Sequence, residues 1–333
     1  MHAFVLENYK GALVQAEVAE PELGEREVLI EIAAAGVNQL DEKIRAGEFK
    51  AILPYKMPLV LGHDVAGTVI GLGSGVRGFT VGDQIFARPR DHRIGAFAQR
   101  MAVNEMDIAK APVSIDLVQA ASLPLVALTA WQALVERGNL QPGQRVLIHA
   151  GAGGVGTIAI QLAKHLGAYV ATTASATNAE FLQDLGADEV IDYKTEDFQV
   201  SISGYDLVLD SLGGETLAKS LGVLRPGGKV IGISGPPTPA FAKEAGLNPV
   251  MGLAVRALSR SVLKKAKKLG VGYEFLFMKP SGQQLRGIAE LVDSGVLTPV
   301  VGQVFGFAQT AEALESMEAG GRRGKTVISM QQK

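Results

Sequence analysis

The residues best placed to do chemistry are glycines. In Val146-Leu147-Ile148-His149-Ala150-Gly151-Ala152-Gly153-Gly154-Val155-Gly156 a short apolar run leads straight into the spacing Gly-x-Gly-x-x-Gly. That spacing builds a phosphate cradle. The first glycine allows a tight turn, the second lets a pyrophosphate approach the backbone, and the third lets a following helix pack close to the strand. Alone the pattern is a weak signal. Here it lies between the two elements the chemistry requires: Ile158, Leu162 and Leu166 recur at four-residue steps, with Ala159 and Ala163 beside them. They predict a helix whose amino end points at the glycines. Gly151, Gly153, Gly154, Val155 and Gly156 are therefore expected to hold a dinucleotide.

The rest of the unit bears on which dinucleotide that is. A chain selecting NAD usually ends its second strand in Asp or Glu, about 20 residues after the glycines, to bond the ribose 2′-hydroxyl. Here the second strand is Tyr169 to Ala174, followed by Ser175-Ala176-Thr177-Asn178-Ala179, and no carboxylate appears before Glu180. Ser175 and Asn178 can donate hydrogen bonds to a 2′-phosphate, and Tyr193-Lys194 after the third strand can close over the adenosine end. NADPH is favoured over NADH.

At 333 residues the chain exceeds the usual single-domain size. A formal net charge of -2 gives no electrostatic reason to expect nucleic-acid binding. With no cysteine, neither a disulfide nor a thiolate-ligated zinc can form. The amino terminus Met1-His2-Ala3-Phe4-Val5-Leu6-Glu7 lacks a basic segment ahead of a long apolar run, so it does not read as a signal peptide. No membrane span is expected, since no apolar stretch reaches the required length of about 18 residues. An intracellular, cytoplasmic enzyme is the expectation.

Along the chain, residues 1 to about 121 read as short strands and turns. Val28, Ile30 and Ile32 alternate, and Gly67, Gly71, Gly73, Gly75, Gly78 and Gly82 punctuate a β-rich segment around Thr68-Val69-Ile70. From about 122 the rhythm becomes helix-strand alternation, with apolar strands at 145–150, 169–174, 189–193, 205–210, 228–234 and 273–278. This is the pattern of a doubly wound parallel sheet, the Rossmann fold. The tail from Lys279 begins with a helix (Leu285, Ile288, Ala289, Val292), shortens into strands around Val300 to Phe307, and is expected to rejoin the first domain. A basic helix at Leu253–Leu269 carries Arg256, Arg260, Lys264, Lys265, Lys267 and Lys268, read as the solvated side of a crossover helix.

Several further segments carry a family resemblance. They are Gly36-Val37-Asn38 with Asp41 and Lys43-Ile44-Arg45; Gly62-His63-Asp64-Val65-Ala66-Gly67-Thr68-Val69; Leu128-Thr129-Ala130-Trp131-Gln132-Ala133-Leu134; the glycine loop; Leu185-Gly186-Ala187-Asp188; Ile191-Asp192-Tyr193; Arg225-Pro226-Gly227-Gly228-Lys229; and Met317-Glu318 through Gly324-Lys325-Thr326-Val327. Together they make the chain resemble the medium-chain dehydrogenase/reductase superfamily over essentially its whole length. Within it, the resemblance is to the zinc-free quinone oxidoreductase and enone reductase branch. This implies an α/β protein in which a GroES-like β-rich catalytic domain is formed by residues 1–121 and 279–333. Residues 122–278 would be the Rossmann NADP-binding domain. It also implies a homodimer, since the sixth strand of this superfamily commonly pairs with its two-fold mate.

The departure from the zinc alcohol dehydrogenases is informative. Those enzymes hold zinc with a cysteine near the position of Asn38 and a Gly-His-Glu segment where this chain has Gly62-His63-Asp64. Asn38 is a poor zinc ligand, and a lone His beside Asp reads as a hydrogen-bonded structural pair. Loss of the Lewis acid disfavours alcohol oxidation and leaves reduction of an already electrophilic substrate, a quinone or an α,β-unsaturated carbonyl. Hydrogen-bond donors then suffice for the oxygen that gains charge. By resemblance the candidates are Asn38 and Lys43. Tyr55 is read as lining the cleft or donating a proton, or else as a loop tyrosine packing on Pro54 and Pro58, and Asp41 as orienting Asn38 or Lys43. The resemblance also brings Asn38, Thr129, Ser234, Gly235, Phe277 and Lys325 to the cofactor. Two rivals remain: a cofactor-binding or sensing protein that has lost turnover, and an alcohol dehydrogenase.

Overall fold

The computed structural model describes residues 1–319 and 323–331; of the family segment that ends the chain, 320–322 and the Glu318 side chain lie outside the described residues. It divides into two units, Met1–Leu128 with Lys279–Lys333, and Thr129–Met278. The first boundary therefore falls inside a helix, seven residues beyond the position read from the sequence.

The first unit is built around one long strand. Before it come β1 (His2–Leu6) and β2 (Leu13–Glu17); then β3 runs from Glu27 to Val37. In its first half Val28, Ile30 and Ile32 are buried while Glu31 faces water, the period of two that a half-solvated sheet demands. Its second half, Ala33-Ala34-Ala35-Gly36-Val37, is small because the chain is crowded there. A Cβ on Gly36 would stand 2.5 Å from Ala121 O and 2.9 Å from Asp64 Cβ. After α1 (Gln39–Arg45) follow β4 (Leu59–Val60), β5 (Asp64–Leu72), β6 (Gln84–Ala87), β7 (Arg100–Asn104), β8 (Ile108–Lys110), α2 (Leu117–Ala121) and α3 (Pro124–Trp131).

The second unit alternates β9 (Arg145–Ile148), α4 (Gly154–His165), β10 (Tyr169–Ala174), α5 (Ala179–Asp184), β11 (Glu189–Asp192), α6 (Phe198–Ser201), β12 (Tyr205–Asp210), α7 (Gly214–Val223), β13 (Leu224–Gly232), α8 (Pro239–Glu244), α9 (Pro249–Leu269) and β14 (Gly272–Phe275). Its six strands run in the order β11-β10-β9-β12-β13-β14, every pair parallel. Strand order thus reverses next to β9, which places the switch point of the sheet at the glycine loop. The strands are near-continuous apolar runs because helices cover both faces. In α9, Val255, Ser259, Val262 and Ala266 form the buried stripe and the six basic side chains are exposed.

The chain then returns to the first unit through α10 (Gly282–Asp293), β15 (Val301–Gly306), α11 (Thr310–Glu315) and β16 (Lys325–Ser329). The larger sheet of that unit reads β15-β16-β3-β5-β6-β8, with β7 also on β3. Thr326 pairs with Val37 and Asp64 with Gly36. One end of β3, the start of β5 and the start of β16 consequently share a rim.

Candidate active site

That rim carries a buried polar cluster. Asn38 caps α1 with extended backbone (φ -127°, ψ 151°), and Asp41 Oδ2 accepts from the Asn38 N–H at 2.9 Å. The Asn38 side chain does not cap the helix. Its Nδ2 donates to Asp64 Oδ2 at 2.9 Å, and at a long 3.4 Å to Gly36 O. Its Oδ1 accepts from Lys325 Nζ at 2.5 Å, and the same ammonium donates to Asp64 Oδ2 at 3.0 Å and Val37 O at 2.9 Å. Asp64 Oδ1 accepts from Leu125 N at 2.6 Å. His63 Nδ1 lies 2.6 Å from Asp41 Oδ1, while its buried Nε2 has no partner among the described residues. Asn38, Asp41, His63, Asp64 and Lys325 are all at most 6% exposed, so these contacts act with little solvent screening.

The other two expected catalytic residues differ in setting. Lys43, on α1, is half-buried, and its ammonium has no ion pair with a described residue. Tyr55 lies in the loop after α1, anchored by its own N–H to Tyr9 Oη at 2.9 Å, with its hydroxyl buried and without a hydrogen-bond partner among the described residues. Burial and the Asp91 carboxylate push the Tyr55 phenol well above its ordinary value, so it keeps its proton. Sequence reasoning gave Lys325 to the cofactor; here its three ammonium protons go to oxygens of its own unit. The Asp64–Lys325 pair was missed because the register of β16 against β3 is invisible in a single sequence.

Zinc does not fit this cluster. The oxygens that a metal would need, Asn38 Oδ1 and Asp64 Oδ2, are held by an ammonium, and the chain supplies no thiolate. Among the described residues no group of three His, Asp or Glu side chains is disposed around a metal position.

In the second unit the loop glycines divide into two that packing requires and one that it does not. Ala150 enters the loop in the left-handed region (φ 54°). A Cβ on Gly151 would overlap Thr172 Oγ1, and one on Gly156 would overlap Ala150 O, so both are needed for close packing of strand, loop and helix. Gly153, the N-cap of α4, is different. Its Cβ would meet only Ala150 O, at 3.3 Å, leaving the side toward the amino end of the helix open for a phosphate. This cradle fits a dinucleotide pyrophosphate. At the end of β10, Asn178 Nδ2 donates to Ser175 Oγ at 3.0 Å, and Ser175 Oγ lies 2.9 Å from Thr177 Oγ1. Tyr193, 61% exposed, follows the neighbouring strand β11. Thr129 is buried in α3. Ser234-Gly235 packs on the turn after β12, where a Cβ on Gly213 would stand 2.7 Å from Ser234 O. The Phe277 ring lies 6.1 Å from that of Phe241 at a tilt of 53°, and Phe241 also meets Phe275 edge-on at 5.0 Å.

Two titratable groups of this unit went unread in the sequence. His149 joins Thr173 Oγ1 (3.0 Å) and Ser220 Oγ (2.9 Å), and burial lowers its pKa to about 4, so the imidazole is neutral. Burial pushes the Asp210 carboxyl up, although its Oδ1 accepts from Leu212 N and Gly213 N.

Comparison with known proteins agrees with this architecture. Residues 24–113 match the alcohol dehydrogenase GroES-like domain, and residues 185–328 match the family described as zinc-binding dehydrogenase. The chain is 37% identical to the mitochondrial NAD(P)H oxidoreductase RTN4IP1 of Danio rerio, over 91% of this chain and 84% of that protein. It is 34% identical to the chloroplastic NADPH-dependent alkenal/one oxidoreductase of Arabidopsis thaliana, over 98% and 79% respectively. The quinone oxidoreductase of Coxiella burnetii superposes with a TM-score of 0.84 at 31% identity, covering 99% of each chain. The chain therefore belongs to the medium-chain dehydrogenase/reductase superfamily, as an NAD(P)H-dependent oxidoreductase of its quinone and enone reductase branch.

Proposed function

We propose that this enzyme uses NADPH and, without zinc, reduces quinones or α,β-unsaturated carbonyls. The observation that carries the reading is the Lys325 ammonium bound between Asn38 Oδ1 and Asp64 Oδ2, where the donor set suits a fixed organic cation better than zinc. Relatives named as alkenal/one and quinone oxidoreductases support it. The reduced nicotinamide, when bound, supplies the hydride. Gly151, Gly153, Gly154, Val155 and Gly156 would hold the pyrophosphate, with Thr129, Ser234, Gly235 and Phe277 toward the nicotinamide end. Asn38 and Lys43 would donate to the substrate oxygen as it gains charge, and the protonated Tyr55 hydroxyl would orient it. The second copy of a homodimer would pair at the edge strand β14.

NADPH preference rests on Ser175, Thr177 and Asn178, which present hydroxyl and amide groups and no carboxylate. Ser175→Asp should shift kcat/KM toward NADH by repelling the 2′-phosphate. The test of the whole reading is steady-state turnover on a panel of quinones, enones and alcohols, with each cofactor, before and after prolonged chelation. Turnover of quinones or enones that is faster with NADPH and survives chelation is expected. Better use of NADH, or a chelator-sensitive activity restored by zinc, would overturn it.

A further inference from the structure

We infer that Lys325 and Asp64 are positioning residues that fix which way round the Asn38 amide stands. The inference rests on the proposed role of Asn38 as a donor. An amide presents an oxygen and a nitrogen of nearly equal size, so shape alone does not choose between its two orientations. Charge does. The Lys325 ammonium can only donate, so the atom it meets at 2.5 Å must be the Asn38 oxygen. The Asp64 carboxylate can only accept, so the atom it meets at 2.9 Å must be the nitrogen. Turning the amide over would set an N–H against an ammonium and an oxygen against a carboxylate.

The ammonium is itself held in place by Asp64 Oδ2 at 3.0 Å and Val37 O at 2.9 Å, and Asp64 by Leu125 N at 2.6 Å. The three side chains are 4%, 0% and 6% exposed for Asn38, Asp64 and Lys325, so water competes for none of these bonds. With the oxygen consumed by Lys325, the group left to offer is the amide proton that reaches only Gly36 O at 3.4 Å. A donor toward a developing oxyanion is thus set before substrate arrives, without reorganisation at the moment of reaction. The residues come from opposite ends of the chain, joined by the pairing of Thr326 with Val37.

The test compares the intact enzyme with Asn38→Ala, Lys325→Met, Lys325→Arg and the charge-neutral double variant Lys325→Met with Asp64→Asn. The double variant removes both members of the ion pair, so no uncompensated Asp64 charge stays buried if the single one folds poorly. Single-turnover hydride transfer with a quinone should fall about 10- to 100-fold in Lys325→Met and in the double variant, less than for removal of the donor itself, because the amide is retained but no longer preorganised. NADPH affinity should stay within about twofold, because the interaction strengthens only as charge develops. Lys325→Arg should recover part of the rate. In asparagine-labelled protein, the Asn38 side-chain amide protons, assigned by their absence in Asn38→Ala, should exchange slowly with solvent in the intact enzyme and faster in the Lys325 variants. A slow Asn38→Ala with an unimpaired double variant and unchanged amide exchange would overturn the inference and leave the proposed function standing. An unimpaired Asn38→Ala would instead remove the donor role, and the exchange measurement would then decide the orientation lock by itself.

Discussion

Asn38 and Lys43 reach the same proposed task from opposite settings. The amide is buried and almost fully engaged, whereas the lysine is half-buried and has no ion pair among the described residues. If both donate to the oxygen that gains charge, Asn38→Ala and Lys43→Met should each lower single-turnover hydride transfer by about 100- to 1000-fold, with little change in NADPH affinity. A deficit confined to enones would identify alkene reduction as the principal task, and unchanged rates in both variants would remove the two residues from the mechanism. His149 permits a separate prediction on stability. Its folded pKa of about 4 lies below the ordinary 6.5, so the unfolded chain binds the proton more readily. The group is therefore neutral in its effect above pH 6.5, and stability is lost as pH falls from 6.5 toward 4, by at most about 1.4 kcal/mol per pH unit. In His149→Gln the urea midpoint should fall less steeply between pH 6.5 and 4.5; an identical slope would show that His149 does not titrate in this way.

At the scale of elements, Gly151 and Gly153 are expected to separate packing from binding. Gly151→Ala forces a methyl onto Thr172 Oγ1 and should destabilise the fold by about 1–3 kcal/mol. Gly153→Ala has an ordinary φ of -77° and one tight contact, Ala150 O at 3.3 Å, so its melting temperature should fall far less than that of Gly151→Ala while NADPH affinity drops about tenfold or more. Calorimetry with a cofactor titration would distinguish them, and equal losses of stability would refute the assignment. These elements were legible because each is local: the strand, the glycines and the helix follow one another within 21 residues, from Arg145 to His165. The strands 169–174 and 205–210 were likewise readable as apolar runs, whereas β13 starts at Leu224 because Arg225-Pro226-Gly227-Gly228 contributes to it despite its turn-like composition. The rim that carries Asn38 was only half legible. Asn38, Lys43 and Asp41 share a short stretch and could be proposed together, but the ammonium that holds Asn38 comes from a residue 287 positions away. Nothing in local composition reports that register.

For the whole molecule, the last strand of the parallel sheet is the edge at which a second copy of the chain is expected to pair. β14 pairs with β13 on one side and ends the sheet on the other. Backbone groups alternate in direction along a strand. Leu276 N donates to Gly232 O, so by that alternation the N–H of Glu274 also faces β13, while those of Tyr273 and Phe275 face outward. An uncovered parallel edge invites pairing with another chain, and a symmetric mate would meet it strand to strand. A homodimer made this way should protect the Tyr273 and Phe275 amides, which would otherwise exchange at rates typical of an open edge. Analytical ultracentrifugation at micromolar concentration should give a mass near twice 35.0 kDa. Hydrogen exchange should show both amides slowed together, and dilution below the dissociation constant should release them without loosening Glu274. A monomer with both amides already protected would mean that another part of the chain covers the edge; a dimer with both exposed would place the contact elsewhere.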